Sequence, residues 1–141
     1  MDFRSLTPTL SVSPQIAPED AADIAAAGFR TVICNRPDRE NPPELHAIRI
    51  REALEAQGLT FLELPFDSRT MTVDVIVRLR EMIEGAEGPV LAYCRTGTRC
   101  TNAWALTQAG DMAPDEIVTA AAAAGYDVSS LAPYLGQKIT V

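Results

Sequence analysis

Short apolar, β-branched runs alternate with helix-forming stretches along almost the whole chain, and this alternation limits the folds open to it. Residues 29–34 carry Thr31, Val32 and Ile33, residues 59–64 form a second run, and Val90-Leu91-Ala92-Tyr93 is a third. Such runs read as buried strands. Between the first two, the pattern predicts a helix over 43–57, with Leu45, Ile48 and Leu54 on its inner face and Gly58 as its stop. Between the second and third, Thr72 is the expected N-cap of a helix over 73–84, where Val75, Ile76, Leu79, Met82 and Ile83 recur at helical spacing. Upstream, 9–12 reads as a short strand ended by Pro14. Pro18, Glu19 and Asp20 then open a helix that Gly28 closes. Downstream, helices are expected over 100–109, 114–124 and 128–135, and the run Ala120–Ala124 reads as tight helix packing.

Strands alternating with helices predict one α/β domain over residues 1–141. It is a three-layer arrangement with a parallel sheet of about four or five strands and helices on both faces. Right-handed crossovers place the C-terminal ends of parallel strands along one edge, where ligands bind in open α/β sheets. Three loops should meet there: 35–42, 65–71 and 94–99.

The last of these follows a hydrophobic strand directly and reads Cys94-Arg95-Thr96-Gly97-Thr98-Arg99. A backbone turning from strand into helix aims successive N–H groups at one point, and the helix N-terminus adds partial positive charge. Gly97 supplies backbone freedom. Arg95 and Arg99 add cations able to grip an oxyanion. Whatever binds an anion also stabilises a thiolate, so Cys94 is expected to have a lowered pKa and to be the nucleophile of a cysteine-dependent enzyme.

The net charge of −7 argues against nucleic acid as a partner, because phosphate-backbone binding needs a basic face. Five of the twelve basic residues nevertheless fall in the three converging loops: Arg36, Arg39, Arg69, Arg95 and Arg99. That concentration suits a small anionic substrate, with Arg36 and Arg69 beside Arg95, Thr96, Gly97 and Thr98 as binding residues. No apolar run is long enough to span a membrane. The N-terminal residues lack a basic stretch followed by an apolar core. The cysteines are few and odd in number, Cys34, Cys94 and Cys100. Together these features predict a cytoplasmic location with reduced thiols. One histidine and no Cys-x-x-Cys pair make a structural zinc site improbable, and no cofactor is implied.

The chain resembles the phosphatase-like domain of beta-lactamase hydrolase-like proteins. The residues that carry the resemblance are Phe29-Arg30-Thr31-Val32-Ile33, Asn35-Arg36-Pro37, Ala92-Tyr93 with the loop through Arg99, Trp104-Ala105-Leu106, and Ala124-Gly125-Tyr126-Asp127. The resemblance implies a fold similar to dual-specificity protein phosphatases. It also implies a link to sulfide and persulfide metabolism, while a phosphatase on this fold would use Cys94 as nucleophile and Arg99 on the phosphoryl oxygens.

The loop spacing points away from a phosphatase. The protein phosphatase signature places its arginine one residue further from the cysteine than Arg99 stands from Cys94, and that position here is Cys100. The Cys-x4-Arg text is similar to the active loop of rhodanese sulfurtransferases, and the shorter nest favours a persulfide sulfur over a phosphoryl group. The favoured expectation is therefore sulfur transfer from thiosulfate or a persulfide to an acceptor thiol such as glutathione, through a Cys94 persulfide. The alternatives are hydrolysis of a phosphate ester through a Cys94 phosphocysteine, and a non-catalytic persulfide or redox sensor.

A phosphatase needs an acid for the leaving oxygen, and Asp67 is the candidate, ahead of Asp38 and Asp74. Read plainly, Asp67-Ser68 is turn chemistry. The family pattern implies serine where Cys100 stands. A thiol is the weaker donor, so Cys100 is read as a small packed residue or as a resolving thiol for Cys94. His46 is expected on the solvent side of its helix, Cys34 in the core, and Trp104 as an anchor of the helix after the loop.

Overall fold

The computed structural model describes residues 1–141. Its five strands are β1 (Arg4–Thr7), β2 (Leu10–Ser13), β3 (Thr31–Cys34), β4 (Thr60–Glu63) and β5 (Val90–Tyr93), in the spatial order β1-β2-β5-β3-β4. The β2, β5, β3 and β4 neighbours are parallel, and β1 pairs antiparallel with β2 at the edge. The sheet is therefore mixed at one edge and parallel elsewhere. The strand predicted at 9–12 lies at Leu10–Ser13, and β1 was not foreseen. Leu6 is the one buried residue of β1, so that strand carries too little apolar pattern to read as buried.

β5 shows how the sequence dictates the layers. Val90 and Ala92 join a cluster with Leu79, Trp104 and Ile117, whereas Leu91 and Tyr93 join a second with Ile24, Ile50 and Leu54. Alternate side chains of a strand point to opposite faces, so a strand apolar at every position needs helices on both. One face is covered by α1 (Ala21–Ala26) and α2 (Ala47–Ala56). The other is covered by α3 (Val73–Gly85), α4 (Thr98–Thr107) and α5 (Pro114–Ala123).

The helix expected over 43–57 is divided. Pro43–Leu45 forms a single 3-10 turn, His46 is extended, and α2 begins at Ala47. That break shifts the apolar face: Ala47, Ile50 and Leu54 are buried, while Ile48 is 54% exposed, against the expectation for it. His46 is half-buried as the N-cap, with Nε2 3.0 Å from the Asn41 carbonyl, so it is not the solvated side chain expected. The stretch expected as a helix over 128–135 is the 3-10 helix Ser129–Tyr134. Trp104 and Cys34 are buried as foreseen. No helix is long and apolar enough to cross a membrane.

Candidate active site

The C-terminal ends of β3, β4 and β5 release the three loops toward one another, and hydrogen bonds join them. The Asn35 N–H donates to the Tyr93 carbonyl at 2.9 Å, and the Phe66 N–H to the Asn35 carbonyl at 3.1 Å. From α4, Arg99 reaches the loop after β4 through the Phe66 carbonyl at 3.1 Å. It reaches the loop after β3 through the Glu40 carboxylate at 3.1 Å.

Cys94 follows β5 at the bottom of a cavity of about 340 Å³ lined also by Asp67, Ser68, Met71, Arg95, Thr96, Thr98, Arg99 and Asn102. Its Sγ accepts the Gly97 N–H at 3.2 Å. The thiol is lowered to about 5, first through a hydrogen bond from the Cys100 thiol. Burial opposes this, and backbone N–H groups of Cys100, Gly97 and Thr96 add to the lowering. A thiolate at neutral pH follows. Cys100, in the first turn of α4 and fully buried, is pushed the other way, by burial first and then by Cys94 beside it. Cys100 thus stands buried beside Cys94 and contributes to lowering it, while the expectation that a serine there would be the stronger donor stands.

Gly97 has φ 91° and is the N-cap of α4, which starts at Thr98 and not near residue 100 as predicted. A Cβ at Gly97 would lie 2.1 Å from the Tyr126 hydroxyl oxygen, so the position excludes any side chain as the backbone now runs. That hydroxyl donates to the Thr96 carbonyl at 2.9 Å. Tyr126 is held in turn by Arg4 of β1, whose guanidinium lies 5.1 Å from the ring centroid and donates to the Ala124 carbonyl at 3.2 Å.

The remaining predicted residues divide into two sets. Cys94, Arg95, Thr96, Thr98, Arg99 and Asp67 line the one cavity, and Gly97 shapes it through its backbone. Arg36 and Arg69 do not line it. Arg36 donates to the Glu40 carboxylate at 3.3 Å, the Glu40 carbonyl at 3.0 Å and the Gln15 side chain at 3.2 Å, so it braces the loop after β3. The Glu40 carboxyl is drawn two ways. Burial raises it, but hydrogen bonds and charge from Arg99 and then Arg36 outweigh that and hold it below its usual range. Asp67 accepts the Arg69 N–H at 2.8 Å, the Thr70 N–H at 3.1 Å and the Thr70 hydroxyl at 3.2 Å, and pairs with Arg39. The Arg69 N–H is the leading cause that keeps its carboxyl below the ordinary range. Glu40 and Tyr126 escape a reading of the sequence, because their partners lie 59 and 30 residues away. No group of three or more His, Cys, Asp or Glu side chains is placed to hold a metal ion.

Residues 2–111, from β1 past the end of α4, match the model of the family "Beta-lactamase hydrolase-like protein, phosphatase-like domain". The chain belongs to this family. A beta-lactamase hydrolase-like protein of Agrobacterium fabrum is 33% identical over 103 residues, which is 73% of this chain and 23% of the relative. One from Xylella fastidiosa Temecula1 is 28% identical over 140 residues, 98% of this chain and 32% of the relative. The chain thus spans a third or less of those two relatives. Among solved structures, a candidate phosphatase from Neisseria meningitidis Z2491 is 40% identical, with a TM-score of 0.84 and 96% of each chain covered. P. aeruginosa TpbA in complex with phosphotyrosine is 18% identical, with a TM-score of 0.65 over 84% of this chain and 70% of TpbA. At that identity the likeness shows the fold. The family and these neighbours agree on a phosphatase-type architecture, as the resemblance in the sequence implied.

Proposed function

We propose that the protein hydrolyses phosphate monoesters through a covalent Cys94 phosphocysteine. The observation that carries this reading is Cys94 on the wall of a cavity it shares with Arg99, its Sγ accepting the Gly97 N–H at 3.2 Å and its thiol lowered to about 5. The family match and the 40% identical candidate phosphatase support it over the sulfur transfer favoured from loop spacing.

In this reaction the Cys94 thiolate attacks phosphorus, an S–P bond forms and the ester P–O bond breaks. The equatorial oxygens take hydrogen bonds from loop amides and Arg99, which stabilise charge as it spreads in the transition state. The leaving oxygen takes a proton from Asp67, and a water then cleaves the S–P bond to release inorganic phosphate. Asp67 is ionised in the free protein at neutral pH, since its carboxyl lies below the ordinary range. It serves as acid only in the fraction of molecules that carry the proton, which favours acidic conditions.

The deciding experiment gives wild type and Cys94→Ser an aryl phosphate in one arm and thiosulfate with cyanide or glutathione in the other. The expected result is phosphate release that the substitution abolishes. Cys94-dependent sulfur transfer without phosphate release would replace this reading with the persulfide enzyme that the Cys-x4-Arg spacing suggests. Turnover undiminished in Cys94→Ser would remove the Cys94 phosphocysteine, and no turnover of either donor would leave a persulfide or redox sensor.

A further inference from the structure

We propose that the substrate is a small non-aromatic phosphate ester carrying a second anionic group, which Arg95 grips. This rests on the phosphatase reading above. The first observation is the wall of the cavity. None of the chain's four Phe, three Tyr and one Trp lines it, and apart from Cys94 the one apolar side chain there is Met71. Phe66 is buried in the core, and Tyr126 is buried with its hydroxyl on the Thr96 carbonyl. A phenyl ester would lay its ring against Ser68, Thr96, Thr98 and Asn102. Covering those polar groups with a ring that cannot hydrogen-bond forfeits what an aromatic or aliphatic wall would return.

The second observation is the pairing of cations around the same loops. Arg99 is shared between Glu40 and the Phe66 carbonyl, Arg36 is held by Glu40 and Gln15, and Arg39 by Asp67. The Arg95 and Arg69 guanidinium groups make no hydrogen bond or ion pair, though the chain carries a net charge of −7. Arg95 lines the cavity one residue after the nucleophile, and Arg69 stands on the turn between the lining residues Ser68 and Met71. A free guanidinium fork fits a carboxylate or phosphate in bidentate fashion. One phosphoryl group therefore sits on the loop amides, and the second anion meets Arg95.

The test uses matched esters that differ by one anionic group: 3-phosphoglycerate against glycerol 3-phosphate, and fructose 1,6-bisphosphate against fructose 6-phosphate, with phosphotyrosine alongside. Phosphate release is followed for the wild-type chain, Arg95→Ala, Arg95→Lys and Arg69→Ala. The wild type is expected to prefer the doubly anionic ester of at least one pair by roughly tenfold in kcat/KM, the scale of one charge-assisted hydrogen-bonded contact. Arg95→Ala should collapse that ratio toward one, Arg95→Lys should restore part of it, and Arg69→Ala should reduce it less. Ratios near one in the wild type, a ratio unmoved by Arg95→Ala, or phosphotyrosine turned over best would overturn the inference while leaving a phosphatase. No release from any ester would remove the phosphatase reading itself, and this inference with it.

Discussion

The Tyr126 hydroxyl donates a 2.9 Å hydrogen bond to the carbonyl of Thr96, in the middle of the loop that begins with Cys94. Tyr126 lies beyond the 2–111 stretch that matches the family, yet it fixes which way one peptide of the loop faces. A carbonyl held by Tyr126 is kept from turning toward Cys94, where it would repel both thiolate and substrate. Tyr126→Phe removes about 1 kcal/mol of hydrogen bonding while keeping the packed ring. The expected result is a several-fold drop in kcat/KM and a higher apparent pKa for Cys94 alkylation, with thermal stability only slightly changed. An unchanged alkylation profile would mean that the tyrosine only packs. Gly97→Ala sets a Cβ against the same hydroxyl at a positive φ, and should cost far more activity than Tyr126→Phe.

Cys94 should be alkylated by iodoacetamide at a rate that falls as pH drops through about 5, where the thiolate takes up its proton. Because the folded-state pKa lies below the ordinary thiol value of 9.0, the linked stability is complete above about pH 9 and is lost as pH falls toward 5. Cys100→Ala removes the leading donor and should move the alkylation midpoint upward. Cys100→Ser supplies a stronger donor and should leave it low. A midpoint indifferent to both changes would assign the lowering to the loop amides alone.

The same pair bears on oxidation. A hydroperoxide would oxidise the Cys94 thiolate to a sulfenic acid, and the Cys100 thiol would displace water to close a disulfide. Peroxide-treated wild type should lose two hydrogens in mass and yield a 94–100 cross-linked peptide. Wild type that gives only sulfinic acid under mild peroxide would show that Cys100 is a packed donor and does not resolve Cys94.

Glu40 holds Arg99 from a different loop, and the same carboxylate holds Arg36. Glu40→Gln keeps the shape and removes the charge, so Arg99 should be less firmly placed. A rise in KM for phosphate esters with weaker inhibition by inorganic phosphate is expected, on the order of tenfold for a charged pair. A change in kcat alone, with phosphate inhibition intact, would place Glu40 outside the positioning of Arg99.

Asp67→Asn separates acid from turn residue. An acid matters most when the leaving oxygen is a poor leaving group, so the loss should be about 100-fold or more for an alkyl phosphate and a few-fold for p-nitrophenyl phosphate. Equal small losses on both would identify Asp67 as the cap of its turn, bonded to Arg69 and Thr70.

Local chemistry determined much of this protein. Short apolar or β-branched runs at 29–34, 59–64 and 90–93 read as strands, with the residues between them as crossovers. From that alone Cys94 falls at the end of β5, beside the loop that carries Asp67 and five residues before Arg99, and the strand-to-helix turn makes it a thiolate candidate. Tertiary structure decided the rest, because it concerns pairs distant in the chain. Whether a loop arginine is free or spoken for depends on carboxylates from other loops. Arg36 and Arg99 converge on Glu40, while Arg95 stays unpaired. Likewise it is the fold that buries the Cys100 thiol beside Cys94, where it leads the causes that lower the Cys94 thiol. The first turn of α4 carries that thiol into the core beside the Cys94 sulfur.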